Sequence, residues 1–201
     1  MKTLIATIQG QDVFQNEDLT FSYMGRADVD ADGSPRAYAP TKSGLPTLDY
    51  LINAEDGDRW CGIVTDDDGY PVIQGENDPA PGYYISTTTL QHKQCATSDP
   101  ARYVDSENVS YVVINRAIAK ACKGVVLGSR CTIKDTISGI LVEAVVADTG
   151  PARKLGEISI RAASLLGIDP SAKSGGSSEV RFLYSFYPNQ QADGYQLQPL
   201  T

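Results

Sequence analysis

The 201 residues suffice for one domain, and no run approaches the roughly 20 apolar residues of a membrane span. A formal net charge of −8, from 25 acidic and 17 basic side chains, opposes binding to nucleic-acid phosphates. It suits a cationic ligand, which an acidic cleft concentrates, although solubility alone also asks for such a charge.

With 18 Gly, 11 Pro and 11 Tyr among short β-branched runs, the composition favours strands and turns over a helical fold. Residues 2–8 and 19–24 read as edge strands. The apolar stretch Leu4-Ile5-Ala6-Thr7-Ile8 is shorter than the roughly 7–15 residues of a signal-peptide core. The expectation is a chain that starts after a removed signal, leaves the cell by another route, or stays inside.

An acidic, Pro/Gly-punctuated half follows, from residue 26 to about 102. Short strands are predicted at 61–65 and 83–86, between the turns Asp67-Asp68-Gly69 and Asp78-Pro79-Ala80-Pro81-Gly82. Residues 109–115 read as a buried strand. Val125-Val126-Leu127 and Cys131-Thr132-Ile133 flank a turn at Gly128, and 140–146 is a further strand. Ile158, Ala162, Leu165 and Leu166 recur with helical spacing, Gly167 supplies a left-handed stop, and Pro170 blocks continuation. A last strand spans 180–187. The chain therefore reads as a single mostly β domain, 1–201, with one or two helices and a barrel-like core.

Chemistry concentrates in Val145-Val146-Ala147-Asp148-Thr149-Gly150-Pro151-Ala152-Arg153-Lys154-Leu155-Gly156-Glu157-Ile158-Ser159. A buried strand ends in Asp148, Gly-Pro forces a turn, and a short loop returns to Glu157 at a helix start. Two carboxylates on adjoining rigid elements are what glycoside hydrolysis asks for: one protonated to serve the leaving oxygen, one ionised to activate water. On the plainer reading, Asp148 closes the turn and Glu157 caps the helix near its positive end.

This stretch, above all Asp148-Thr149-Gly150-Pro151 and Lys154-Leu155-Gly156-Glu157-Ile158-Ser159-Ile160, resembles the core motif of the family 75 glycoside hydrolases, the chitosanases. The resemblance covers about residues 22–188. Its other blocks are Asp28-Val29-Asp30-Ala31-Asp32-Gly33, Leu48-Asp49-Tyr50-Leu51, Gly62-Ile63-Val64, Gln74-Gly75-Glu76-Asn77-Asp78-Pro79 and Asp99-Pro100-Ala101-Arg102-Tyr103. It implies endo-acting hydrolysis, with inversion, of β-1,4 links between glucosamine units, with Glu157 as acid and Asp148 as base. It also implies a secreted or exported protein, expected to be a monomer. The Asp-x-Gly-Pro turn before a small helix is similar to the double-psi barrels of expansins, so a six-stranded double-psi barrel-like core is the expected fold. Cys61, following Trp60, departs from the family pattern, where an aromatic residue is expected.

Asp28-x-Asp30-x-Asp32-Gly33 opens like a calcium loop, but the twelfth position is Ala39 where an EF-hand needs Glu. No metal or cofactor is expected. The remaining readings of Asp28, Asp30 and Asp32 are a β-turn, a looser cation site, or carboxylates lining the cleft; a turn lining the cleft is favoured, where they are expected to pair with the ammonium of glucosamine. Trp60, Tyr38, Tyr83 and Tyr84 are candidates for stacking on sugar rings, and Trp60 and Tyr84 are carried as substrate-binding residues. His92, the sole histidine, lies three residues from Cys95 without a nucleophile motif, and reads as a surface residue. Of the four cysteines, Cys122 and Cys131 lie either side of the Gly128 turn, where a bridge is one option. The Gly/Ser-rich 173–178 loop reads as a rim. The competing functions are hydrolysis of bacterial wall glycan, as a secreted or delivered toxin, and a carbohydrate-binding module without catalysis.

Overall fold

The structure is a computed structural model that describes residues 2–57, 59–124 and 127–200. Along the described chain the strands are β1 (Thr3–Ile8), β2 (Gln11–Gln15), β3 (Phe21–Asp30), β4 (Glu55–Asp56), β5 (Arg59–Trp60), β6 (Tyr111–Asn115), β7 (Ser129–Asp135), β8 (Leu141–Gly150), β9 (Glu157–Ser159) and β10 (Ser177–Gln191). Two short helices, α1 (Arg116–Ala121) and α2 (Ile160–Leu166), follow β6 and β9. With 39% strand against 10% helix, the protein is mostly β. Among the described residues no helix is long and apolar enough to cross a membrane.

Six strands close a barrel. Hydrogen bonding runs β3–β10–β7–β8–β6–β9 and returns from β9 to β3. The first residues of β3 also hold β2, and β1 pairs with β2 through a Gln9-Gly10 turn in which both φ angles are positive (51° and 75°). That geometry matches the right-handed twist of a two-residue hairpin.

Alternation explains the filling of the barrel. β3 buries Phe21, Tyr23, Gly25 and Ala27 and turns the residues between them outward. In register across β10 stand Phe186 opposite Phe21 and Tyr184 opposite Tyr23, and these pairs stack with centroids 4.5 Å and 5.0 Å apart. The Tyr184 hydroxyl donates to the carbonyls of Arg26 (2.8 Å) and Gly156 (3.2 Å). Gly156 has φ +87°, and a Cβ there would lie 2.0 Å from the Arg26 oxygen. Only glycine lets the loop before β9 come this close to β3, an approach sealed by Asp28 N donating to Gly156 O (2.8 Å).

Between β3 and β6 the chain forms a loop-rich layer with its own small core of Ala31, Ala37, Tyr38, Ala54 and Ile63. The buried Gln74 amide ties it together, donating to the carbonyls of Pro35 (2.7 Å) and Tyr84 (3.1 Å) and accepting from Ala80 N.

Several expectations are corrected. The strands expected at 61–65 and 83–86 reduce to isolated bridges, Ile63 with Ser86 and Ile73 with Tyr84; Gly62 interrupts the first run and Pro81-Gly82 directly precede the second. The strand at 19–24 continues to Asp30, so Asp28 and Asp30 belong to a barrel strand rather than a turn. β8 likewise runs on through Asp148 to Gly150. Glu157 and Ile158 lie in β9 and not in a helix; α2 starts after Ser159, whose Oγ accepts from Ala162 N (3.1 Å). Leu165, expected on the buried helical face, is 43% exposed, and Ala162, Ala163 and Leu166 do the packing. Gly167 does take the left-handed cap (φ 72°). α1 has no counterpart among the predicted elements; Asn115 caps it, accepting from Ala117 N and Ile118 N. Val125 and Val126, part of a predicted strand, lie outside the described residues. Cys61, Cys95 and Cys131 carry free thiols, so the Cys122–Cys131 bridge is not formed.

Candidate active site

Register brings the two expected carboxylates together. Val113 on β6 stands opposite Asp148 on β8 and opposite Glu157 on β9. Cross-strand partners share a face of the sheet, so both carboxylates point to the side of Val113. A β-bulge makes this possible. Val112 pairs with Val146 but Val113 with Asp148, leaving Ala147 as the extra residue. Without that insertion Asp148 would pair with Ile114 and face the other way. The row extends to β3, where Asp28 stands opposite Glu157.

These side chains open into a cavity of about 910 Å3. Asp28, Asp30, Asp32, Asp49, Asp148 and Glu157 line it, against Arg116, Lys154 and Lys173. The 173–175 part of the Gly/Ser loop forms its rim, fixed by Lys173 Nζ donating to Thr47 O (2.7 Å).

Each acid has a distinct environment. Asp148 is 9% exposed, and its Oδ1 accepts from the Thr89 hydroxyl, Thr89 N (3.0 Å) and Thr149 N (2.8 Å). Burial pushes its carboxyl up to about 6 against those hydrogen bonds, and the charge of Glu157 adds to the rise. Asp30 accepts from Asp32 N (2.9 Å) and the Tyr111 hydroxyl (3.1 Å); burial, then the charges of Asp148 and Glu157, push it up to about 8. Asp32 accepts from the Tyr38 hydroxyl (2.8 Å) and is raised well above the usual range by burial and by Asp30 and Asp148. Glu157 is different: Lys154 Nζ donates to its Oε1 at 2.6 Å and lies 3.6 Å from Asp28 Oδ2.

Oxygens of Asp30, Asp32 and Asp148 approach within 4.8 Å of one another. Each of the three carboxylates also accepts from a protein donor.

The aromatic expectations fare differently. Trp60 and Tyr84 pack on each other (6.1 Å, 47°) against the small core and do not line the cavity. Tyr38 and Tyr83 are buried, their hydroxyls donating to Asp32 and to Pro46 O, so neither ring offers a face to a sugar. Tyr50 is an exposed ring beside the cavity-lining Lys173, whose Nζ lies 5.4 Å from its centroid. His92 stacks on Tyr195 and lies outside the cavity lining.

Thr89 and Lys154 are site residues that sequence reasoning leaves without a role, and Gly150 is read there only as part of a turn. Gly150 carries a signal, since glycine is unusual in a buried strand. A Cβ there would lie 2.9 Å from Glu157 Oε2 and 2.8 Å from Val113 Cγ1. Gly150→Ala should displace the Glu157 carboxylate while costing about 1–3 kcal/mol, since the obstructed atoms are side-chain ends. A misplacement near 1 Å is worth about 10²-fold in turnover. Thermal melts and hydrolysis rates check this; full activity would show that the carboxylate position is not critical.

The chain matches no family model and no curated protein.

Proposed function

We propose that the protein is an endo-acting glycoside hydrolase that cleaves β-1,4 bonds of an amino-polysaccharide, chitosan or a close relative, through Asp148 and Glu157. One observation carries the reading: the two carboxylates flank Val113 on one face of adjoining barrel strands, inside an acidic cavity. Inversion, which the family resemblance implies, asks for carboxyls held roughly 6.5–9.5 Å apart to admit water.

The acidic lining supports a cationic chain as substrate. Asp28, with its side chain 34% exposed, is the carboxylate best disposed to meet a sugar ammonium, whereas Asp30 and Asp32 are engaged with Tyr111 and Tyr38. We also infer double-psi wiring: the ring's two parallel pairs, β3–β9 and β6–β8, join strands far apart in sequence. A polymer of this kind is met outside cells, which on this reading makes the protein an exported one.

Reducing-end release from chitosan, chitin and peptidoglycan, assayed side by side, tests the proposal. Chitosan should be cleaved fastest, and added salt should slow it by screening the ammonium–carboxylate attraction. Cleavage of peptidoglycan alone would move the target to bacterial wall glycan. Binding without cleavage of any of the three would leave a carbohydrate-binding module.

A further inference from the structure

The two carboxylates differ in what surrounds them. Glu157 is held by a cation, Lys154 Nζ at 2.6 Å, on the short loop that joins β8 to β9. Among the described residues no ion pair reaches Asp148; its Oδ1 takes three hydrogen bonds from neutral donors and none reaches Oδ2. Two further carboxylates, Asp30 and Asp32, bring oxygens within 4.8 Å of its own. An acid wants its charge disfavoured and a base wants it favoured.

Resting on the glycosidase reading above, we propose that Asp148 donates the proton to the leaving oxygen and Glu157, held by Lys154, is the base that activates water. This reverses the roles that the family resemblance implies. Lys154 is then a positioning residue, acting through Glu157. In the step, water's oxygen bonds to the anomeric carbon as Glu157 Oε takes its proton. The bond from that carbon to the leaving oxygen breaks, and the Asp148 proton goes to the departing oxygen. Glu157 ends protonated and Asp148 ionised, and one proton returns through solvent.

The remaining groups agree in sign. Glu157 from β9 opposes a second negative charge on Asp148, and the charge of Asp148 in turn raises Asp30 on β3 and Asp32 in the turn after it. Burial pushes the Asp148 carboxyl up to about 6, near the range of a working acid. Glu157 meets Lys154 from the loop and Asp28 from β3, and the buried phenol of Tyr23 feels its charge from within the barrel. Burial would lower the Lys154 ammonium, but Glu157, Asp28 and Asp30 outweigh this and hold it above its ordinary value. Arg116 lines the same cavity.

Azide rescue and pH profiles test the assignment. Azide should restore turnover to Glu157→Ala, forming an α-glycosyl azide, and should fail to restore Asp148→Ala. Asp148→Ala should keep turnover on a glucosamine-oligosaccharide fluoride, whose leaving group needs no proton. Lys154→Met should move the acid limb of the kcat/KM profile up by about one pH unit, leave the alkaline limb in place, and be reversed by Lys154→Arg. Azide rescue of Asp148→Ala instead overturns the assignment. So does a Lys154→Met profile that moves on its alkaline limb or not at all. A wild-type protein that leaves chitosan intact fails the glycosidase reading itself, a result distinct from any rescue pattern.

Discussion

Asp148→Asn and Glu157→Gln should each lose at least about 10²-fold in turnover on chitosan while the protein stays folded. Both changes keep the shape of the side chain and remove only its proton chemistry. In Asp148→Asn the amide retains an oxygen for Thr89 N and Thr149 N, so the end of β8 keeps its anchors. In Glu157→Gln the amide retains an oxygen for Lys154 Nζ, and Gly150 still leaves room for it. Neither substitution removes buried apolar surface, so melting midpoints should stay within a few degrees of wild type at acid pH. Reducing-end assays with circular-dichroism melts decide the matter. Near-normal hydrolysis by Asp148→Asn would remove Asp148 from the chemistry and favour the binding-module reading.

The pair itself is legible in the sequence because its carboxylates lie on either side of a Gly-Pro turn and a glycine-bearing return. The means by which they meet is not. A bulge at Ala147 leaves no mark in hydrophobic pattern, since Val145-Val146-Ala147 reads as apolar in any register. Glu157 reads as the start of a helix because Ile158 fits the spacing of α2, yet the three residues of β9 are drawn into the barrel by β3 and β6. That is tertiary pairing overriding a local period.

The same blindness touches β3. Its last residues, Asp28-Val29-Asp30, carry charge that argues for a loop, and only pairing with β9 makes them strand. Conversely, the aromatic candidates fail for a local reason. Tyr38 and Tyr83 stand where the loop layer needs filling, and a ring in a small core has no face left for sugar. Composition announces neither outcome.

Those buried acids also set how stability depends on pH. In the unfolded chain Asp30, Asp32 and Asp148 titrate near 3.8; in the fold Asp148 rises to about 6, Asp30 to about 8, and Asp32 well above the ordinary value, burial being the first cause in each. Between about pH 4 and 8 the folded state therefore binds more protons than the unfolded one, and stability falls as pH rises. The contribution is complete below the unfolded value and is lost as pH passes through the folded values. Glu107 and Asp135 act in the opposite sense. Burial raises each, but hydrogen bonds from Arg36 and Ser34 to Glu107, and from Ile137 and Ser138 to Asp135, leave both below the usual range. Their contribution is lost below about pH 4, which puts the optimum on the acid side of neutrality. A tenfold difference in proton affinity is worth about 1.4 kcal/mol, or about 3–6 °C in a domain of this size. The midpoint at pH 8 should lie at least that far below the midpoint at pH 5. Asp30→Asn should flatten the fall and raise the pH 8 midpoint, because the amide accepts from Tyr111 without carrying charge. Calorimetric scans across this range measure it, and a midpoint that climbs from pH 5 to pH 8 would mean that these carboxyls are already ionised in the native state.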